Sequence, residues 1–130
     1  MKYLAIIYLM VFVVCAGKSP EYYYQQGNWH LDKKEYEKAI PLYTKAIKEN
    51  SEYSEAYFKR GYCKLQIDSN VSAIKDFDKV IALKPDGDVY NLRAKAKYEL
   101  KDSVGSCEDW NMGCELMSTR ACELYRIKCR

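Results

Sequence analysis

Hydrophobic positions along this chain form two kinds of pattern. An unbroken apolar run from Tyr3 to Val14 comes first. Beyond it, apolar residues come in short groups at helical spacing, interspersed with lysines and acidic residues. These groups repeat. Ala39-Ile40-x-x-Tyr43-x-Lys45-Ala46-Ile47 returns 34 residues later as Ala73-Ile74-x-x-Phe77-x-Lys79-Val80-Ile81, and Gly27 returns as Gly61 at the same interval. A third copy, Ala94, Ser106, Trp110 and Gly113, is degenerate and one residue short. A fixed period of this length is how stacked helical hairpins look in sequence, and such arrays usually work as surfaces.

The pattern predicts seven helices after the apolar run: about Glu21 to Lys33, Glu35 to Asn50, Glu52 to Ile67, Asn70 to Lys84, Asp88 to Lys101, Ser103 to Met117 and Thr119 to Cys129. The breaks carry turn chemistry. Asp68-Ser69-Asn70 offers N-cap oxygens, and Pro85-Asp86-Gly87-Asp88 stops one helix and caps the next. Pro41 falls inside the second helix, where it removes a backbone hydrogen bond and should bend the helix. Glycine inside a helix costs about 1 kcal/mol against alanine. Gly27 and Gly61 therefore need a compensating close approach, which Ala39/Ala46 and Ala73/Val80 on the paired helix would supply. Tyr43, Phe77 and Trp110 then fill the wider gap beside each small pair.

The first apolar run is a separate object. Met1-Lys2, the run itself and the ending Cys15-Ala16-Gly17-Lys18-Ser19-Pro20 have the layout of a secretory signal peptide. The run is short for a membrane span, which needs roughly 20 residues. Val14 and Ala16 suit cleavage after Ala16, which gives a signal peptide over 1–16, a linker over 17–20 and a repeat domain over 21–130. A second reading lipidates Cys15, although Val14 is not the small residue that bacterial lipid attachment usually wants directly before the cysteine; a third keeps the run as an uncleaved anchor. All three place the remainder outside the cytoplasm, periplasmic or secreted, with membrane contact only through a lipid or an uncleaved signal.

Composition adds limits. At 130 residues the chain is one domain with appendages, and its formal charge of +3 without a Lys/Arg stripe does not suit nucleic acid. Acidic residues such as Glu35/Glu37 and Glu108/Asp109 read as solvated helix faces. There is no glycine-rich phosphate loop, no His-x-x-x-His pair and no nucleophile elbow. His30 is the one histidine, and nothing in its spacing pairs it with Cys63 for catalysis. No catalytic residue, metal or cofactor is expected.

The positions of Gly27, Ala39, Tyr43 and Ala46, repeated as Gly61, Ala73, Phe77 and Val80, resemble the tetratricopeptide repeat. The weaker set Ala94, Ser106, Trp110 and Gly113 extends the resemblance, which covers about Pro20 to Met117. Pro85 stands at the family's inter-repeat proline position, and Ser51 replaces it in the first copy. The resemblance implies an all-α right-handed solenoid of three helix-turn-helix repeats, about 20–53, 54–86 and 87–117, closed by a capping helix over 118–130. The tail, with Gly105-Ser106-Cys107-Glu108-Asp109-Trp110 and Ala121-Cys122-Glu123-Leu124-Tyr125, looks like the last repeat and closing helix of exported bacterial members. A closing helix also covers an otherwise open apolar end.

Four of the six cysteines lie in that tail. Cys107 and Cys129 are equidistant from Ser118, as are Cys114 and Cys122, so an antiparallel hairpin turning at Ser118 brings each pair level. The two rungs are seven residues apart, roughly 10.5 Å along a helix. One zinc ion with bonds of about 2.3 Å cannot span that. Disulfides Cys107–Cys129 and, less firmly, Cys114–Cys122 are expected, export making oxidation feasible. The alternative is buried thiols serving as small core residues. Cys63 is left over, as a core residue.

The resemblance also locates a groove, lined by the first helix of each pair. Its inward positions are Tyr24, Asn28 and Leu31, then Phe58, Tyr62 and Leu65, then Asn91, Lys95 and Tyr98. Leu31 and Leu65 are expected to pack between repeats. Tyr24, Asn28, Phe58, Tyr62, Asn91 and Lys95 are expected to meet an extended peptide or partner helix. A chaperone-binding version of the family clamps a terminal carboxylate with lysines, asparagines and an arginine. Here only Asn28 matches; Tyr24, Lys59, Asp88 and Leu92 stand at the other positions, so that clamp is absent. The expectation is a protein-interaction module outside the cytoplasm. The alternatives are an assembly part of an envelope complex, using its convex face or capping helix, and a thiol enzyme that would need a depressed Cys63 pKa.

Overall fold

The computed structural model describes residues 17–129. The expected signal sequence, including Cys15, lies outside the described residues. Seven helices follow one another: α1 Pro20–Asp32, α2 Tyr36–Glu49, α3 Ser54–Gln66, α4 Asn70–Leu83, α5 Gly87–Glu99, α6 Ser103–Glu115 and α7 Thr119–Lys128. Among the described residues there is no strand, and no helix is long and apolar enough to cross a membrane. Each helix packs on the next, α3 also touches α5, and α7 lies on both α5 and α6. The fold is an all-α helical repeat.

Turn geometry separates the two kinds of connection. After α1, α3, α5 and α6 one non-glycine residue takes a left-handed conformation: Lys34 (φ 58°), Asp68 (59°), Lys101 (65°) and Met117 (68°). The next residue's N–H then reaches back over the turn, from Glu35 to the His30 carbonyl, Ser69 to Lys64, Asp102 to Lys97 and Ser118 to Gly113. That is the Schellman closure, which satisfies carbonyls the helix end leaves free. The turns after α2 and α4 instead leave in extended backbone at Asn50 and Lys84. The α6–α7 turn is thus built like a turn inside a repeat. The missing residue of the third copy lies between repeats, where α4–α5 uses residues 84–86 and α2–α3 uses 50–53.

Capping follows the sequence with one difference. Asp86 Oδ1 accepts from the N–H groups of Asp88 (2.9 Å) and Val89 (3.3 Å), as expected for the start of α5. Ser19, Asp102 and Ser118 cap α1, α6 and α7 in the same way. Ser69 occupies the N-cap of α4, but its side chain makes no capping bond. Pro41 lies inside α2 on its exposed side, so its ring meets solvent rather than the core.

The core is built from the repeated small and aromatic residues. Ala39, Tyr43, Ala46, Ala73, Phe77, Ala94 and Ser106 are fully buried, with Val80 and Trp110 nearly so. A Cβ placed on Gly27 would come 2.6 Å from the Tyr43 ring, and one on Gly61 would come 2.9 Å from the Phe77 ring. These glycines are therefore places where an aromatic ring lies directly on a helix backbone. Gly113 has the same role for the cap, since a Cβ there would meet the Ala121 methyl at 2.8 Å.

Between helices of a pair runs a polar feature that the sequence reading assigned to solvent. Asp76, 3% exposed, accepts from Arg60 Nε (3.0 Å) and Nη2 (2.7 Å) and pairs with Lys64 Nζ (2.8 Å). Asp109, also 3% exposed, repeats this with Arg93 (2.8 and 2.6 Å) and Lys97 (2.9 Å). Each arginine also reaches back to the preceding repeat, Arg60 to Thr44 Oγ1 at 3.0 Å and Arg93 to Asp78 at 2.6 Å. Asp109 is thus a buried ion-pair centre and not part of a solvated face. A charge removed from water persists only when it is paired and hydrogen-bonded, and both aspartates meet that condition.

Candidate functional site

One face of α1, α3 and α5 carries two adjoining recesses. The first, of about 320 Å³, is lined by Tyr24 of α1, by Glu55, Phe58 and Lys59 of α3, and by Asp88 and Val89 of α5, with Lys84 and Asp86 at its edge. The second, of about 400 Å³, lies between Leu31, Tyr36, Phe58, Lys59, Tyr62 and Leu92, with Asp32 and Lys34 at its end. Phe58 and Lys59 belong to both, so they form the ridge between them. The result is an open furrow across three repeats with aromatic walls and charged ends.

The local sequence explains these positions. Tyr24 and Phe58 sit one turn before Gly27 and Gly61, each half-buried against the core of its own helix pair. Tyr24 is held from below by Tyr43 (ring centroids 5.8 Å) and from the side by Tyr53 (5.0 Å). Tyr53 in turn donates to Glu21. Burial, with Glu55 and Glu21 nearby, raises the Tyr24 phenol above its ordinary pKa, so it stays a neutral donor and acceptor. Glu55, at the start of α3, also faces the favourable positive end of its helix.

The other expected groove residues divide. Asn28 turns toward the paired helix, where its Oδ1 accepts from the Tyr43 hydroxyl at 2.8 Å. Asn91 does the same for the Trp110 indole N–H at 3.1 Å. Their carbonyl oxygens are engaged in packing. Lys95 is exposed and lines neither recess. Tyr98 packs on Trp110 (5.6 Å) under the Lys128 ammonium (5.2 Å). Leu65 is buried, and Leu31 both packs against the core and reaches the second recess. The third repeat instead contributes Asp88, Val89 and Leu92, and the second adds Lys59. In sequence, Asp88, Lys59 and Leu92 stand out only as replacements for clamp residues. Lys59 and Leu92 share one repeat position, 33 apart, and Glu55 and Asp88 share another, and that recurrence is the signal that could have found them.

The cysteines fall as level pairs. Cys107 and Cys129 have Cα atoms 5.6 Å apart, and Cys114 and Cys122 have theirs 4.5 Å apart, with sulfurs in disulfide contact in both. Cys63 is free and fully buried between Tyr43 and Ala39. Burial pushes its thiol up to about 11, only partly opposed by Lys59, the reverse of what an activated nucleophile requires. His30 Nδ1 donates to Glu35 Oε2 at 2.7 Å, so its near polar partner is a surface carboxylate. Among the described residues no three His, Cys, Asp or Glu side chains gather as a metal site.

Comparison with known proteins agrees with this architecture. The tetratricopeptide-repeat sequence profile matches residues 20–53. The first tetratricopeptide-repeat domain of Spaghetti (RPAP3), solved bound to the HSP90 peptide SRMEEVD, superposes with a TM-score of 0.80 at 19% identity, covering 85% of this chain and 90% of that one. The Arabidopsis OM64 domain gives 0.80 at 22% identity over 85% and 94%. The Sgt2 domain from Aspergillus fumigatus gives 0.77 at 21% over 85% and 77%. No curated protein matches the chain in sequence. The chain has the tetratricopeptide-repeat fold over its described length and matches that family in sequence over residues 20–53.

Proposed function

We propose that this chain is a protein-interaction module that takes an extended peptide, or a helix of a partner protein, into the furrow across α1, α3 and α5. The observation that carries this reading is the aromatic lining of two adjoining recesses, Tyr24 in the first, Tyr62 in the second and Phe58 in both, flanked by Lys59, Glu55 and Asp88. Aromatic walls supply apolar area at low entropic cost, and the flanking charges fix direction and register. The relative bound to an HSP90 peptide supports peptide recognition as a use of this fold. The ligand here must differ in chemistry, because Asp88 and Leu92 stand where the chaperone clamp carries basic residues.

We place this activity outside the cytoplasm. The support is the signal-like pattern of residues 1–16 and two cysteine pairs set at disulfide geometry. The reading is tested by selecting peptides on the immobilised protein from a displayed random library. Selected peptides should bind the Phe58→Ala/Tyr62→Ala variant at least tenfold more weakly, with helical circular dichroism retained, while Lys75→Ala on the exposed face of α4 changes nothing. Equal binding by the double variant would contradict the groove.

A further inference from the structure

The capping helix is held by very little apart from its cysteines. α7 has ten residues, fewer than the roughly 12–15 an isolated helix needs in water. Only Ala121 of α7 is buried, with Leu124 and Cys129 packed partly against Ala94, Trp110 and Tyr98. Two further contacts bind its ends. Ser118 Oγ donates to Asp88 Oδ1 at 2.7 Å, and Lys128 lies 5.2 Å from the Tyr98 ring. Tyr125 and Ile127 face outward.

Both cysteine pairs join this helix to α6, one near each end of α7. The wider pair is reachable. An apolar recess of about 450 Å³, between Val104, Cys107, Asn111 and Tyr125, opens beside Cys107 at the α6–α7 edge.

We propose that α7 is a redox-operated cap: closed when both pairs are oxidised, released when they are reduced. The reductant is an external dithiol. Its thiolate attacks one cysteine sulfur, breaking the S–S bond and forming a mixed disulfide. Its second thiol then displaces the cysteine, and the dithiol leaves as its own disulfide. Each protein disulfide gains two electrons and two protons and becomes two thiols. With both pairs open, α7 keeps only its small apolar contacts, the Ser118–Asp88 bond and the Lys128–Tyr98 contact. It frays, and Ala94, Tyr98 and Trp110 become an exposed aromatic surface at the end of the array. The repeats beneath need no such release, because their buried rings and ion triads do not pass through α7.

The test is hydrogen–deuterium exchange on the purified protein, oxidised and in dithiothreitol, with thiol release confirmed by mass. Exchange over Thr119–Lys128 should rise at least tenfold on reduction, while α1 to α4 stay unchanged. In a Trp29→Phe background the remaining Trp110 emission should shift to the red and return on reoxidation. The Cys107→Ser/Cys129→Ser/Cys114→Ser/Cys122→Ser variant should match the reduced protein without reductant. Unchanged α7 protection with the thiols free would overturn the proposal. So would pairs that resist dithiothreitol in the folded protein, and so would reduction that unfolds the whole array, since the pairs would then be plain structural staples.

Discussion

Replacing Asp76 with asparagine keeps the side chain's shape and removes its charge. Arg60 and Lys64, each with a side chain only 15% exposed, then face one another across a neutral amide. Breaking a buried pair on one side costs about 3–5 kcal/mol. The partial exposure of both cations favours the lower end, about 3 kcal/mol. With a urea m-value of about 1.5 kcal/mol/M, the midpoint should fall by about 2 M. Asp109→Asn should cost less, because Arg93 keeps Asp78 at 2.6 Å while Arg60 falls back on the Thr44 hydroxyl. Asp78→Asn, at a 54% exposed partner, should move the midpoint by less than about 0.5 M. Urea titration followed by circular dichroism reads all three. A fall at Asp76→Asn no larger than at Asp78→Asn would refute the ion-centre argument. A second control sharpens it: Arg60→Met/Lys64→Met/Asp76→Leu should be closer to wild type than Asp76→Asn alone, since it leaves no charge stranded.

Three further outcomes follow from the structure. Lys38 and then His30 hold the Glu35 carboxyl down at about 2 from 4.5. Because its folded pKa lies below its unfolded one, the stabilisation is present above about pH 4.5 and is lost as pH falls through about 2. Urea midpoints of wild type and Glu35→Gln should therefore converge over that window, and a constant difference would contradict the pairing. Cys63, buried with its thiol at about 11, should resist iodoacetamide at pH 8 until urea unfolds the chain; labelling at a free-thiol rate in buffer would contradict its place in the core. Lys101→Gly removes a left-handed lysine (φ 65°), which should stabilise by about 1 kcal/mol and raise the melting temperature by roughly 4 °C; a fall in calorimetry would contradict the turn assignment.

The helices and their packing were legible because small residues and rings at fixed spacing have one physical reading. One detail differs: the sequence places Ala39/Ala46 and Ala73/Val80 against Gly27 and Gly61 with the rings alongside, whereas the Tyr43 and Phe77 rings themselves lie on those glycines. The ion centres were not legible, because aspartate and lysine along a helix look like a solvated face one residue at a time. Their signal lay in recurrence, Arg60, Lys64 and Asp76 returning 33 residues later as Arg93, Lys97 and Asp109. The groove was half legible. Tyr24, Phe58 and Tyr62 line it, whereas Asn28 and Asn91 are drawn to Tyr43 and Trp110. A polar side chain within reach of a buried hydroxyl or indole satisfies that group first, and repeat position alone does not reveal this.

The most direct test of the interaction surface is an amide chemical-shift titration of the labelled protein with a library-selected peptide. The groove account predicts that the largest shifts gather at Tyr24, Glu55, Phe58, Lys59, Tyr62 and Leu92. Shifts confined to Thr119–Lys128, with the α1, α3 and α5 face unmoved, would contradict it and point to the capping helix as the binding element.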